Sequence, residues 1–193
     1  MVFLVPKKPR ILMIIGDAAE ELEVFYPYYR FKEEGFEVHV AAPSVKSVNT
    51  VIHESVPEWD AYIEKPGRAF LWVDRALEEV DPKEYDVVYI PGGRLPEYIR
   101  LYPEVKKIIK HFSESNKIIA VMCHGSLVLA AYGVLKGRKV TGYRGIKHDI
   151  ENAGGTFVDA DVVVDGNIVS GKTWRELPKF MRELIKVIKE KVK

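Results

Sequence analysis

Short unbroken apolar runs alternate along the chain with stretches whose apolar residues return every three to four positions. RILMII (10–15) ends at Gly16 and predicts a buried strand. From Glu20 to Glu34, Leu22, Val24, Phe25, Tyr28, Tyr29 and Phe31 recur at helical spacing; Gly35 stops that helix, and EVHVAA (37–42) predicts a second strand. DVVYI (86–90) and KIIAVM (117–122) predict two more, and EVKKIIKHFSES (104–115) between them has the period of an amphipathic helix. A helix is expected over 125–132 and a strand over RKVTGY (138–143). Two or three short strands are expected over 156–171, with Asp165-Gly166-Asn167 as their turn. Thr173 and Glu176 have capping-box spacing and open a last helix to about Lys191, with Pro178 in its first turn.

Strands that alternate with helices imply an α/β architecture, a doubly wound and mostly parallel sheet flanked by helices. No linker or repeat divides residues 1–193, so a single domain is expected. The stretch 43–72 breaks the alternation. Rich in Pro, Ser, Gly and aromatics (Trp59, Tyr62, Phe70, Trp72), it reads as an irregular connection that is either a lid or interface, or a packed surface excursion.

Charge and composition then exclude several classes. A net charge of +1 with no block of like charges gives no reason to expect nucleic acid or an anionic membrane as partner. No run approaches the roughly 18 apolar residues of a membrane span. The apolar start lacks a signal-peptide pattern, so a cytoplasmic location is expected. One cysteine excludes an internal disulfide and a cysteine-rich zinc site. His39, His53, His111 and His148 show no ligand spacing, so no metal and no other cofactor is expected; His39 in a strand and His111 on an amphipathic helix read as structural. The chain has no glutamine and is rich in Lys and Glu, a bias associated with heat-adapted proteins.

The candidate chemistry gathers at strand ends, where open α/β sheets place their sites. Cys123 follows the strand 117–122 and precedes a helix, the strand–turn–helix geometry of a nucleophile elbow; Gly125 fits that pattern, and Val121 stands where it has glycine. A thiol at a helix start is expected to have a lowered pKa, and the elbow lets His124 share its site. Buried cysteines that act only as small hydrophobes are common. A second strand runs into Pro91-Gly92-Gly93, whose amides could donate to an oxyanion. The third end holds Glu20, Glu21 and Glu23 in a helix's first turn. The helix dipole accounts for two of them; one aimed at Cys123 would be a general acid/base with a pKa raised by burial. Tyr143 and Asp149, after a fourth strand, are further candidates to line the pocket.

These loops carry a resemblance to the ThiJ/PfpI superfamily. E-x-x-E-x-x-x-P from Glu20, P-G-G-R-x-P-E from Pro91 and A-x-x-C-H-G from Ala120 stand in a match that runs nearly end to end. The resemblance implies the class I glutamine amidotransferase-like (flavodoxin-like) fold. It implies Cys123 as nucleophile, Glu20 hydrogen-bonded to the thiol as proton shuttle, and His124 as the neighbouring imidazole. Glu97 matches a glutamate that a neighbouring subunit supplies to orient that histidine. Gly93 and His124 amides, flanked by Gly92 and Gly125, would form the oxyanion hole. It implies a homo-oligomer, a trimer or a dimer of trimers. Three functions follow in order: a glutathione-independent glyoxalase (glyoxalase III) or deglycase acting on a small dicarbonyl, an intracellular cysteine peptidase acting on peptides, and a redox-responsive chaperone or stress protein. Glutamine amidotransferases share the fold but need a late His-x-Glu pair; here His148 is followed by Asp149-Ile150.

Overall fold

The structure is a computed structural model that describes residues 8–58 and 60–192; the apolar start of the chain and Trp59 lie outside the described residues. In chain order its strands and helices are β1 (Arg10–Ile14), α1 (Glu21–Glu33), β2 (Glu37–Ala42), β3 (Val48–Ser55), β4 (Tyr62–Phe70), β5 (Arg75–Ala76), β6 (Val87–Ile90), α2 (Leu95–Ile99), α3 (Pro103–Glu114), β7 (Ile118–Met122), α4 (Ser126–Ala131), β8 (Lys139–Val140), α5 (Lys147–Asn152), β9 (Thr156–Phe157), β10 (Val162–Asp165), β11 (Ile168–Gly171) and α6 (Leu177–Lys191). Seven strands form one sheet in the order β10-β11-β7-β6-β1-β2-β5. All its pairings are parallel except β10 with β11, an antiparallel edge hairpin.

The strand compositions explain this layout. Every residue of β6, β7 and β11 is buried, as is required of strands covered on both faces. From β1 the chain steps outward to β2, but from β6 it steps the opposite way to β7. Right-handed crossovers therefore place α1 and α3 on opposite faces of the sheet. α6 joins α1, and it buries Leu177, Phe180, Met181, Leu184, Ile185 and Ile188 along one stripe. Burying each such side chain fully stabilises the fold by roughly 1.5–3 kcal/mol. The sheet order reverses between β1 and β6, and the loops after β1, β6 and β7 share that switch point. Among the described residues no helix is long and apolar enough to cross a membrane.

Two expectations change. The stretch 43–72 is largely regular: β3 and β4 form an antiparallel hairpin, with a register shift between Asn49 and Val51. The strand expected over 138–143 is confined to β8, which pairs with β9 apart from the main sheet. Beyond Val140 the backbone is drawn into braces instead. The Thr141 N–H donates to Ser170 Oγ at 2.9 Å, and the Tyr143 N–H donates to the Cys123 carbonyl at 3.1 Å.

Candidate active site

Cys123 sits directly after β7 with φ +55°, in the left-handed region that a non-glycine residue enters only under constraint. The chain then makes one 3-10 turn, Cys123–Gly125, and continues as α4. The loop after β6 packs against this elbow at very close range. A Cβ on Gly92 would lie 2.5 Å from the Cβ of Cys123, so only glycine admits the approach. Gly93, with φ +76°, turns the chain so that its own amide and that of His124 lie near the sulfur. Gly92 has a different partner: its N–H donates to Glu23 Oε2 at 2.6 Å. Gly125 serves packing, since a Cβ there would meet the Ile90 carbonyl at 2.8 Å.

The three glutamates after β1 divide the work. Glu20 is the N-cap of α1, and its Oε2 accepts the Glu23 N–H at 2.8 Å. Glu21 accepts the Arg68 N–H and, at 3.4 Å, the Thr50 hydroxyl, which ties the helix start to the β3–β4 hairpin. Glu23, wholly buried at the third helical position, receives the Gly92 amide on Oε2 and stands beside Cys123, while its Oε1 is buried with no hydrogen-bond partner among the described residues. The place beside the thiol expected of Glu20 is therefore taken by Glu23. The physical reason is the cap, because a carboxylate folded back onto its own helix N-terminus points away from the elbow. Glu20-x-x-Glu23 has the three-residue spacing of a capping pair, a signal from which this division could have been read.

Electrostatics reverse another expectation. Cys123 is 1% exposed, and burial, followed by the nearby Glu23 charge, pushes its thiol well above the usual range. The amides of His124 and Gly93 oppose that shift without cancelling it. Burial and the Glu20 charge likewise hold Glu23 high, so the carboxyl and the thiol cannot both ionise and the pair retains a proton. Glu20 is pushed to about 7, first by burial. His124 Nδ1 lies 3.4 Å from the sulfur, and burial lowers this imidazole to about 4, so it is neutral at physiological pH.

The imidazole stands in an aromatic enclosure. Tyr143 stacks on it at 4.8 Å between ring centroids, and Tyr62 meets it edge-on at 6.3 Å. The Tyr62 ring is backed by His53 at 4.2 Å, whose Nε2 is 2.9 Å from Glu64 Oε2 across the hairpin. Tyr62 thus reaches His124 from the β3–β4 hairpin within 43–72, which sequence reasoning did not resolve; Tyr62, His53 and Glu64 were not singled out there as site residues. Asp149 is exposed, and its charge reaches His124 only at a distance. Glu97 is exposed on α2 and paired with Arg94 at 3.5 Å; among the described residues it makes no hydrogen bond to His124 of its own chain. His39 bonds the Tyr85 hydroxyl at 2.9 Å, in keeping with a structural role.

A mostly parallel sheet with a positive-φ cysteine elbow and a buried carboxyl beside the thiol forms a candidate cysteine–glutamate site on a flavodoxin-like fold. The model of the DJ-1/PfpI family matches residues 9–187, and the chain belongs to that family. It is 42% identical over 180 residues to a deglycase of Pyrococcus abyssi, an alignment covering 93% of this chain and 99% of the relative. A Bacillus subtilis protein, YraA, named as a candidate cysteine protease, is 32% identical over 93% of this chain and 97% of its own length. Among solved structures, a two-domain Anabaena variabilis protein with DJ-1/ThiJ/PfpI-like and ferritin-like domains superposes with a TM-score of 0.80 at 27% identity; the alignment covers 94% of this chain and 48% of that one.

Proposed function

We propose that the protein is a cysteine-dependent deglycase with glutathione-independent glyoxalase activity, in which Cys123 is the nucleophile and Glu23 the acid/base. The observation that carries this reading is a buried Glu23 carboxyl, with one oxygen unpartnered among the described residues, set beside a Cys123 thiol at a positive-φ elbow that the Gly92-Gly93 loop packs against. On methylglyoxal, sulfur adds to the aldehyde carbon while Glu23 takes the thiol proton and returns it to the carbonyl oxygen. Glu23 then carries the hydrogen of that carbon, as a proton, to the neighbouring ketone carbon, and the hydroxyl proton passes to the ketone oxygen, leaving the thioester of a 2-hydroxy acid. Water cleaves the thioester to lactate and frees the thiol. One carbon is oxidised as its neighbour is reduced, so no outside oxidant is needed. In an early glycation adduct the same carbon is attacked after the amine leaves. The names carried by the deglycase relatives support this order of preference. The test is lactate formation from methylglyoxal by purified protein without added thiol. Wild type is expected to form it and Cys123→Ala is not; equal turnover by both would end the assignment.

The contact of 3.4 Å between sulfur and His124 Nδ1 favours cysteine peptidase activity as a second reading, with Glu97 orienting His124 from a neighbouring subunit of a trimer or dimer of trimers. A casein gel with a Cys123→Ser control separates the readings, since equal clearing by both proteins rules the peptidase out. The redox-sensor reading predicts oxidation of Cys123 by mild peroxide with no turnover of a dicarbonyl, and mass spectrometry together with the lactate assay separates it from the first reading.

A further inference from the structure

A cavity of about 300 Å³ lies beside the site, and its chemistry is not used by the reaction proposed above. Its lining includes Tyr62 and Tyr143, the two rings that enclose His124, so it adjoins the imidazole that touches the thiol. Arg144, Trp174 and Arg175 also line it, and among the described residues Asp60 is its one acidic side chain. Most arginines elsewhere are paired, which makes two unpaired ones in a single cavity informative. Arg10, Arg30, Arg68, Arg75, Arg94 and Arg138 each have a carboxylate within 4 Å, in a chain whose charges almost balance. Arg144 and Arg175 have none among the described residues, a state that Arg100 and Arg182 share outside the cavity. The Arg175 guanidinium instead lies 5.8 Å from the centre of the Trp174 ring, a stacking contact that orients it without neutralising it.

We propose that this cavity binds the anionic end, a carboxylate or a phosphate, of the carbonyl compound whose aldehyde carbon meets Cys123. Guanidinium groups match the planar, paired oxygens of both anions. The volume, at the small end of ligand sites, suits a short acid or phosphate ester. The proposal rests on the glyoxalase and deglycase reading and names the substrate class of that site.

The experiment compares three aldehydes: neutral methylglyoxal, 4,5-dioxopentanoate with its carboxylate, and 3-phosphooxy-2-oxopropanal with its phosphate. Wild type is expected to favour at least one anionic substrate over methylglyoxal by about tenfold in kcat/KM. In an Arg144→Met/Arg175→Met protein with an unchanged melting temperature, that ratio is expected to fall by about tenfold. The preferred arm identifies the anion. Equal use of all three by wild type, or a preference that survives the double substitution, overturns the proposal. If no aldehyde is turned over, the reading of the reaction fails, and calorimetric titration with phosphoglycolate decides the cavity separately. Binding that weakens about tenfold in the double variant supports it, and absent or unaltered binding refutes it.

Discussion

Glu23 holds its carboxyl against the Cys123 thiol, while Glu20, one turn earlier, caps the helix that carries it. The two are coupled through that turn, because the cap on the Glu23 amide fixes where the Glu23 side chain starts. Glu23 also satisfies the Gly92 amide at 2.6 Å, so it holds the loop after β6 against the elbow as well as facing sulfur. Glu23→Ala strands a buried donor and should lower the unfolding free energy by about 1–3 kcal/mol. Glu23→Gln keeps an acceptor and should restore most of that loss. Urea titrations of both variants check this, and equal losses would contradict the pairing.

Stability should also carry an unusual dependence on pH. Burial holds the Glu20 carboxyl at about 7 in the folded protein against 4.5 ordinarily. Between those values the folded state keeps a proton that the unfolded chain has released, so this group makes stability fall as pH rises. The raised Glu23 carboxyl acts in the same direction. His124 works oppositely: burial holds it at about 4 against 6.5, so between those values the unfolded chain binds the extra proton and stability rises with pH. The windows overlap, and single variants should separate them. Melting temperatures of Glu20→Gln should fall less from pH 5 to pH 7 than those of wild type, and those of His124→Gln should fall more. Parallel profiles for all three proteins would show that these groups titrate normally.

The sulfur is enclosed, so access depends on the aromatic cover. Tyr62 comes from a hairpin held to the body by Glu21 and closed on itself by the His53–Glu64 bond. Wild-type protein should alkylate slowly with iodoacetamide, and Tyr62→Ala should react at least about tenfold faster, in line with a local opening easier by roughly 1.4 kcal/mol. A mass-spectrometric time course measures both. Identical rates would mean that the thiol is reached by another path.

The strands of the sheet core and the long helices were legible because fully buried runs and helical stripes are strong periodic signals, as in β7 and α6. The hairpin was not. β4 carries Glu64, Lys65 and Arg68 around Pro66-Gly67, residues that weaken any strand signal, and it is formed by pairing with β3 and by its tie to Glu21. β8 shows the converse: the β-branched character of 138–143 suggests a longer strand, but the backbone there is used to brace the elbow. In the site, Cys123, His124 and the paired glycines follow from their place at strand ends. Choosing among Glu20, Glu21 and Glu23 requires knowing which one the helix terminus consumes, and a helix dipole favours all three alike.

The central claim, that the working acid/base is the carboxyl touching sulfur, is tested by proton NMR of methylglyoxal turnover in parallel samples of wild type, Glu20→Gln and Glu23→Gln. The account predicts that Glu23→Gln loses at least about 10²–10⁴-fold of lactate production, the usual weight of a general acid/base, while Glu20→Gln stays within about tenfold of wild type. Lactate formation that survives in Glu23→Gln and vanishes in Glu20→Gln would contradict it.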